Sequence, residues 1–473
     1  MHLEDSLYPL LKLYERAPQP VKLLAGTVYR AIPASWRNGP AFPTFQREAR
    51  EVENWDADAI RRYQTAAVRE SLLAASKAPF YAKRFAEHGV DPSRFESLEQ
   101  LSAYPLLTKD ELLRERENLA NPALRHERLP MTTGGSSGIP VGFDLHKGIS
   151  RPKEQAYLDA TWARCGYNVG DRVAVIRGGV TSTRADGTIS YHDATRDWLV
   201  LSSYHLTAAR LRDFAHELNR FQPKHLLCYP SAALMLMQLG IKLDFPLTSL
   251  LCGSEKLSAE AQRLLEAYFK VPVMHWYGHS ERVVLAAQRP GSTALYFWPT
   301  YGYVEFGEAD AEGNREIIGT SFHNHVMPLI RYRTGDFAKV AESASWRVVE
   351  AITGRDYEFL ISRTGRRISL TAINMHDDIF EGLLAVQFHQ HQPGEAECHL
   401  LPSPNWSREC EAVIHSGLMQ KLGDDFTLTL RVTDHVEQTS AGKHRWLVTT
   451  LQSSTDYADF TDAASASGLS QSV

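Results

Sequence analysis

The sequence predicts an α/β fold, with a large N-terminal domain of βαβ-type sheets carrying a strand-rich subdomain, followed by a small α+β C-terminal domain. Three observations predict it. Short apolar runs alternate with helical stretches from Val173 to Trp276, the helices thin out after Glu281, and a chain of 473 residues exceeds what one hydrophobic core usually supports.

The first 130 residues read as a mainly helical start. Asp56 can cap a segment in which Ile60, Tyr63, Ala67 and Leu72 recur at helical spacing, and Pro79 and Pro105 punctuate the stretch beyond it. From Val173 the runs Val173–Ile176, His225–Cys228, Ser249–Cys252 and Val273–Trp276 read as strands. A helix through Phe214 and Leu218 and another capped by Ser258 lie between them. Such alternation implies a largely parallel sheet whose strand-end loops bind ligands. Ala294–Phe306, Arg315–Phe322 and Trp346–Ala351 read as a strand-rich meander that completes a large domain over 1–353. Residues 354–473 read as the small domain, with a Thr364-Gly365 turn between short strands, a helix near Asn374–Leu384 and a frayed Ser-, Ala- and Asp-rich tail from Ser453.

Composition narrows the function. Hydrophobic residues are 43% and charged residues 23% of the chain, and a net charge of -5 with no long like-charge block leaves no footprint for nucleic acid or an anionic membrane. A small molecule is the expected partner. The five cysteines include no C-x-x-C pair, which argues for reduced thiols and a cytoplasmic protein. Charges interrupt the N-terminal apolar patches before membrane-spanning length, so neither a secretion signal nor a transmembrane segment is expected. Leu7, Leu10, Leu11 and Tyr14 have helical spacing suited to packing on the body of the protein or to lying on a membrane surface. His389 and His391 share a strand face without a third ligand, a pattern more typical of surface residues than of a metal site.

Four segments carry candidate chemistry. Thr132-Thr133-Gly134-Gly135-Ser136-Ser137-Gly138 offers hydroxyls and freed N–H groups to phosphate oxygens, although alone a surface turn without a ligand is its default reading, and it lacks the Gly-Lys-Ser/Thr ending of a Walker loop. Tyr277-Gly278-His279-Ser280-Glu281 comes directly after the strand at Val273. A carboxylate there can hold Mg²⁺ beside phosphates and an aromatic can stack on a purine; the alternative is a solvated Glu beside a half-buried Tyr. Tyr332-Arg333-Thr334-Gly335-Asp336, with Gly354-Arg355-Asp356 further on, places a carboxylate where it can accept ribose hydroxyls, or forms a turn with a surface ion pair. Lys443, in the loop before Trp446, reads alone as a solvated lysine.

The order and separation of these motifs resemble the adenylate-forming superfamily of acyl-CoA synthetases, luciferases and peptide-synthetase adenylation domains. Within it, the chain most resembles the phenylacetate–CoA ligase branch and the capsular-polysaccharide-biosynthesis relatives, over about Pro130 to Val448. The resemblance implies that Thr132 to Gly138 form the phosphate loop and that Gly253, Ser254 and Glu255 border the adenine. It implies that Tyr277 and Gly278 lie at the base, that Glu281 assists Mg²⁺, that Asp336 and Arg355 hold the ribose, and that Lys443 on a mobile C-terminal lid reaches the carboxylate and α-phosphate. ATP and Mg²⁺ are the implied cofactors, with coenzyme A as co-substrate.

Ile139 stands where many relatives carry Lys or Thr, and Asp356-Tyr357-Glu358 replaces the paired acids often found at the hinge, which bears on the second half-reaction. For the acid, Tyr204, His205, Tyr229, Pro230, His275 and His279 flank the predicted strand ends and suit an aromatic or polar acid better than a long fatty chain, with a purely structural role for each as the alternative. The expected reaction is formation of an acyl-AMP and then transfer to coenzyme A. Transfer to an amine or hydroxyl acceptor is the alternative, and a nucleotide-binding module without catalysis is a third reading. A homodimer is allowed.

Overall fold

The computed structural model describes residues 17–132, 142–177, 189–309, 313–341, 343, 345–352, 359–370, 373, 380, 383–402, 406, 409–437 and 446–451. The N-terminal part is helical for the reasons its sequence suggests. Asp56 accepts the amide of Ala59 at 2.7 Å and opens the helix Ala57–Ala75, which buries Ile60, Val68 and Leu72 on one face. Pro79 opens the next helix, Pro79–Glu87, where the N–H it lacks would have no partner. The Leu7 to Tyr14 segment lies outside the described residues.

Two strands, β1 (Arg128–Thr132) and β2 (Gly142–His146), pair antiparallel from Arg128 opposite His146 to Thr132 opposite Gly142. The sequence pattern did not mark this ladder, whose buried positions are few. Twelve later strands form one sheet. They are β3 (Val173–Arg177), β4 (Ser190–Asp193), β5 (Trp198–Ser202), β6 (His225–Cys228), β7 (Ser249–Gly253), β8 (Val273–Gly278), β9 (Leu285–Gln288), β10 (Leu295–Phe297), β11 (Gly302–Ala309), β12 (Arg315–Ser321), β13 (Tyr332–Ala341) and β14 (Val348–Ile352). Their spatial order is β11-β12-β13-β14-β10-β9-β8-β7-β6-β3-β5-β4.

The expected change of class happens within this sheet. Neighbours from β5 through β3, β6 and β7 to β8 are parallel, and from β8 to β11 every pairing is antiparallel. In the parallel half, helices Leu211–Phe221, Pro230–Gln238 and Ala259–Phe269 make the crossovers. Ser258 caps the last of them by accepting from Ala261 N at 3.1 Å. The continuous apolar runs are explained by burial on both faces. Ile176, Cys228 and Cys252 pack with the crossover helices, whereas Val175, Leu227, Leu251 and Trp276 join Tyr157 and Trp162 of the helix Ser150–Ala163. Each buried side chain of this size contributes about 1.5–3 kcal/mol.

The C-terminal part has its own sheets. β15 (Phe359–Ile361) and β16 (Arg367–Ser369) form a hairpin around the expected Thr364-Gly365 turn, with Gly365 N donating to Ser362 O at 3.0 Å. β17 (Leu383–Gln392), β18 (Glu395–Pro402), β19 (Thr427–Val432) and β20 (Leu447–Thr449) lie in the order β19-β18-β17-β20. Their core, with the helix Glu409–Leu422, is drawn from Leu360 to Trp446.

Two expectations change here. The helix near Asn374–Leu384 is not helical at its end, because Leu383 and Leu384 begin β17, which pairs with β18 from Leu383 opposite Pro402 and buries Val386 and Phe388. The helix Glu409–Leu422 was not foreseen, although Ile414, Leu418 and Leu422 recur every four residues and are buried. The proposed boundary at residues 353 and 354 lies outside the described residues.

Candidate active site

The strand-end loops bring the second and third motifs together. Tyr277, in the last turn of β8, donates its hydroxyl to Asp336 Oδ2 at 2.8 Å, across 59 residues of sequence. Tyr332, four residues before Asp336 in β13, donates its hydroxyl to Glu281 Oε1 at 3.0 Å. Two motifs therefore hold each other through two tyrosine–carboxylate bonds. Glu281 is 8% exposed and Tyr277 is 9% exposed, which removes the reading of a solvated loop Glu beside a half-buried Tyr.

The backbone at this corner is specialised. Gly335 has φ 74° and its N–H donates to Glu316 Oε1 at 3.2 Å, while Asp336 N donates to Thr334 Oγ1 at 3.1 Å. That turn bulges β13 and directs Asp336 toward β8. Ser254, directly after β7, and Arg282, directly after Glu281, also have positive φ, at 69° and 55°. Non-glycine residues held in this region cluster at functional sites, where packing over-determines the local conformation.

Gly253 is required by close approach. A Cβ there would lie 2.4 Å from the Trp276 indole, so only glycine lets that ring cross the end of β7. Glu255 serves the next layer. Its carboxylate accepts from Ser231 N at 2.9 Å and Ser231 Oγ at 3.0 Å, at the N-terminus of the helix Pro230–Gln238. The backbone of Gly253 and Ser254, more than the Glu255 side chain, is thus what this segment offers a ligand.

His275 is fully enclosed. Its Nε2–H donates to Glu255 O at 2.9 Å and its backbone N–H to Gln288 Oε1 at 3.0 Å. It positions the Gly253–Glu255 corner from behind and does not line the crevice. Burial pushes its pKa down to about 4. The folded state therefore keeps His275 neutral, while the unfolded chain takes up a proton below about pH 6.5. Stability contributed by this group is full above pH 6.5 and is lost as pH falls toward 4, by about 3 kcal/mol over that window. Thermal melts between pH 4.5 and 7.5 should show a steeper loss for the parent than for His275→Gln, and equal slopes would refute the assignment.

The remaining pocket residues take several positions. Tyr229 precedes the helix Pro230–Gln238 and is buried; His205 closes the short turn Ser203–His205; the Tyr204 side chain lies outside the described residues. Burial lowers the His205 pKa. His205 Nδ1 and both ring nitrogens of His279 are buried without a hydrogen-bond partner among the described residues. So are Ser202 Oγ and Arg177 Nε and Nη2 at the ends of β5 and β3. Buried polar atoms ordinarily have partners, so their concentration at the C-terminal strand ends marks a place built for a polar ligand. Arg177 and Ser202 were missed from sequence. The available signal was an arginine closing the apolar run Val173–Ile176 and preceding Gly178-Gly179.

The first motif is described only at its arms. Thr132 ends β1 and is exposed; Thr133, Gly134, Gly135, Ser136, Ser137 and Gly138 lie outside the described residues, as do Arg355 and Lys443. The arms are anchored firmly. Asp144 of β2 pairs with Arg116 at 2.8 Å and with Arg128 at 2.5 Å, and its carbonyl accepts from Asn324 Nδ2 at 3.0 Å. A buried carboxylate with two arginines and no orphaned oxygen is a rigid post.

Among the described residues no group of three or more His, Cys, Asp or Glu side chains could hold a metal ion. His389 stacks on His399 with ring centroids 4.0 Å apart. No described helix is long and apolar enough to cross a membrane.

No family model matches the chain. Among curated proteins it is 27% identical to phenylacetate-coenzyme A ligase of Pseudomonas putida over 347 residues, covering 66% of this chain and 74% of the relative. It is 21% identical to Protein CapK of Staphylococcus aureus over 393 residues, covering 79% and 85%. Among solved structures, 2-hydroxyisobutyryl-CoA ligase in complex with 2-HIB-AMP and CoA aligns over 96% of this chain and 97% of its own, at 15% identity and a TM-score of 0.49. The motif order and the curated relatives converge on the adenylate-forming superfamily, and the chain is similar to its phenylacetate–CoA ligase branch and to CapK.

Proposed function

We propose that this protein is an ATP-dependent, AMP-forming acid ligase that activates a carboxylic acid as an acyl-AMP and then transfers the acyl group to coenzyme A. The observation that carries this reading is the double link of Tyr277 to Asp336 and of Tyr332 to Glu281, which ties the second and third motifs together at the strand ends. Two further phenylacetate-coenzyme A ligases with 25% identity, from Aromatoleum evansii and Escherichia coli, support the choice of acceptor.

In this reading Asp336 accepts the ribose hydroxyls, Tyr277 flanks the base, and the backbone at Gly253 and Ser254 borders it. Residues Thr132 to Gly138 hold the phosphates. Glu281 is a single carboxylate, and Mg²⁺ commonly takes one or two carboxylates and completes its shell with phosphate oxygens and water, so the residue present fits that ion. When bound, Mg²⁺ would neutralise phosphate charge. A carboxylate oxygen of the acid attacks the α-phosphorus, the bond to the β-phosphate oxygen breaks, and pyrophosphate leaves. The anionic reactants repel each other, and Lys443 supplies positive charge where that repulsion is greatest. The thiol of coenzyme A then attacks the acyl carbon, releasing AMP and a proton. No protein nucleophile is involved, and catalysis is positioning plus electrostatics.

ATP–pyrophosphate exchange across a panel of aromatic, amino and short-chain acids, each with and without coenzyme A, tests the reading. Exchange stimulated by one acid together with a mass-detected thioester is the expected result. An acyl-AMP that forms but ignores coenzyme A would reassign the acceptor to an amine or hydroxyl. Silence across the panel with ATP binding intact would overturn the enzyme reading.

A further inference from the structure

The parallel half of the sheet ends in a single row of residues. Register places Arg177 beside Ser202 across β3 and β5, Ile176 beside Cys228 across β3 and β6, and Gly253 beside Trp276 across β7 and β8. Continued by one residue beyond β6, the row reads Ser202, Arg177, Tyr229, Gly253, Trp276, with Trp276 packed on the face opposite Cys228 and Cys252 and Tyr229 in the same core as those cysteines.

The Arg177 guanidinium lies in this row, its carbon 5.6 Å from the ring centroid of Tyr229 and 5.6 Å from that of Trp276. The Trp276 indole fills the room beside Gly253, where any Cβ would lie 2.4 Å from it. Arg177 Nε and Nη2 are buried and have no hydrogen-bond partner among the described residues, and neither has the Ser202 hydroxyl beside it. Nε and Nη2 form one edge of the guanidinium, the edge whose parallel N–H groups match the two oxygens of a carboxylate. Two aromatic rings offset part of the cost of a desolvated cation without satisfying its N–H donors.

We propose that the acid substrate carries a second carboxylate, on a flat scaffold, and that Arg177 is the specificity-determining residue that pairs with it. This rests on the acid-ligase reading above. One carboxylate is activated beside Glu281 and Asp336; the other meets the Arg177 fork and accepts from Ser202 Oγ, with the scaffold between Tyr229 and Trp276. A monoacid leaves the buried donors unmatched, and a site with buried polar groups rejects an analogue that cannot satisfy them.

Phenylacetate and 1,4-phenylenediacetate make the test pair in the exchange assay. The full-length protein should prefer the diacid in kcat/KM by about 10²-fold or more. Arg177→Gln should abolish that preference, mainly through KM for the diacid, and Arg177→Lys, which keeps the charge and loses the fork, should retain only part of it. Removal of an unmatched buried guanidinium should leave the melting temperature of Arg177→Gln at or above the parent's. Equal use of the two acids, a preference that survives Arg177→Gln, or a fall of several degrees in melting temperature would each overturn the proposal. If neither acid supports exchange, the acid-ligase reading fails for this pair, and thermal stabilisation decides Arg177 separately. The diacid alone must then raise the parent's melting temperature and not that of Arg177→Gln, and absence of that shift sinks the inference.

Discussion

Lys443→Ala lowers acid-dependent pyrophosphate release by about 10²- to 10³-fold while ATP binding stays within a few-fold of the parent. The asymmetry arises from where the lysine is proposed to act. In the proposed reading ATP is already held by the phosphate loop, the ribose carboxylate and the base-flanking tyrosine, so one lysine would add little to ground-state affinity. In the transition state the attacking carboxylate and the α-phosphate share negative charge in a site with little water, and a preorganised ammonium stabilises that arrangement far more than the separated reactants. Single-turnover pyrophosphate release, measured beside equilibrium ATP binding, checks both halves. Equal losses in the two would recast Lys443 as a binding residue, and no loss in release would remove it from the chemistry.

Asp336→Ala raises the KM for ATP by about 10²-fold, with a smaller change in kcat. Two lost charge-assisted hydrogen bonds to ribose hydroxyls, at about 1.5–3 kcal/mol each, set the scale, reduced by water that enters the site. The same substitution removes the acceptor of the Tyr277 hydroxyl. Tyr277→Phe is the matched comparison, because it deletes that one bond and keeps the ring; a few-fold change is expected. ATP titrations of both variants separate ribose recognition from support of the tyrosine. An Asp336→Ala variant no worse than Tyr277→Phe would show that Asp336 only braces Tyr277.

Much of the architecture was legible because it rests on local rules. Unbroken runs such as His225–Cys228, short and separated by helical stretches, fit strands buried on both faces, and Asp56 and Ser258 announce their helices by capping them. The meander after Glu281 was visible for the same reason. Leu383 and Leu384 misled because a short apolar run satisfies helix and strand alike, and pairing with β18 decides between them. For the site, motif order singled out Tyr277, Glu281 and Asp336, which the structure brings together, but no spacing rule shows that Tyr332 would hold Glu281 or that Tyr277 would hold Asp336. His275 looked like a pocket residue because its neighbours are; strand alternation turns it behind the crevice and points Trp276 the other way. Arg177 went unseen because a lone arginine after a strand carries no motif, and only its orphaned donors distinguish it.

The self-contained core of the C-terminal sheet, drawn from Leu360 to Trp446, bears on the timing of the two proposed half-reactions. Re-aiming such a unit exposes none of its own packed interior, so the difference between two orientations is set by surface contacts of a few kcal/mol. That is the scale on which a small ligand biases an equilibrium, since a 10⁴-fold affinity difference, about 5.5 kcal/mol, converts a rare arrangement into the dominant one. If Lys443 acts as proposed, arrival of ATP and departure of pyrophosphate would each change the charge it meets. The reaction's own progress would then act as the clock that sets which way the proposed lid faces.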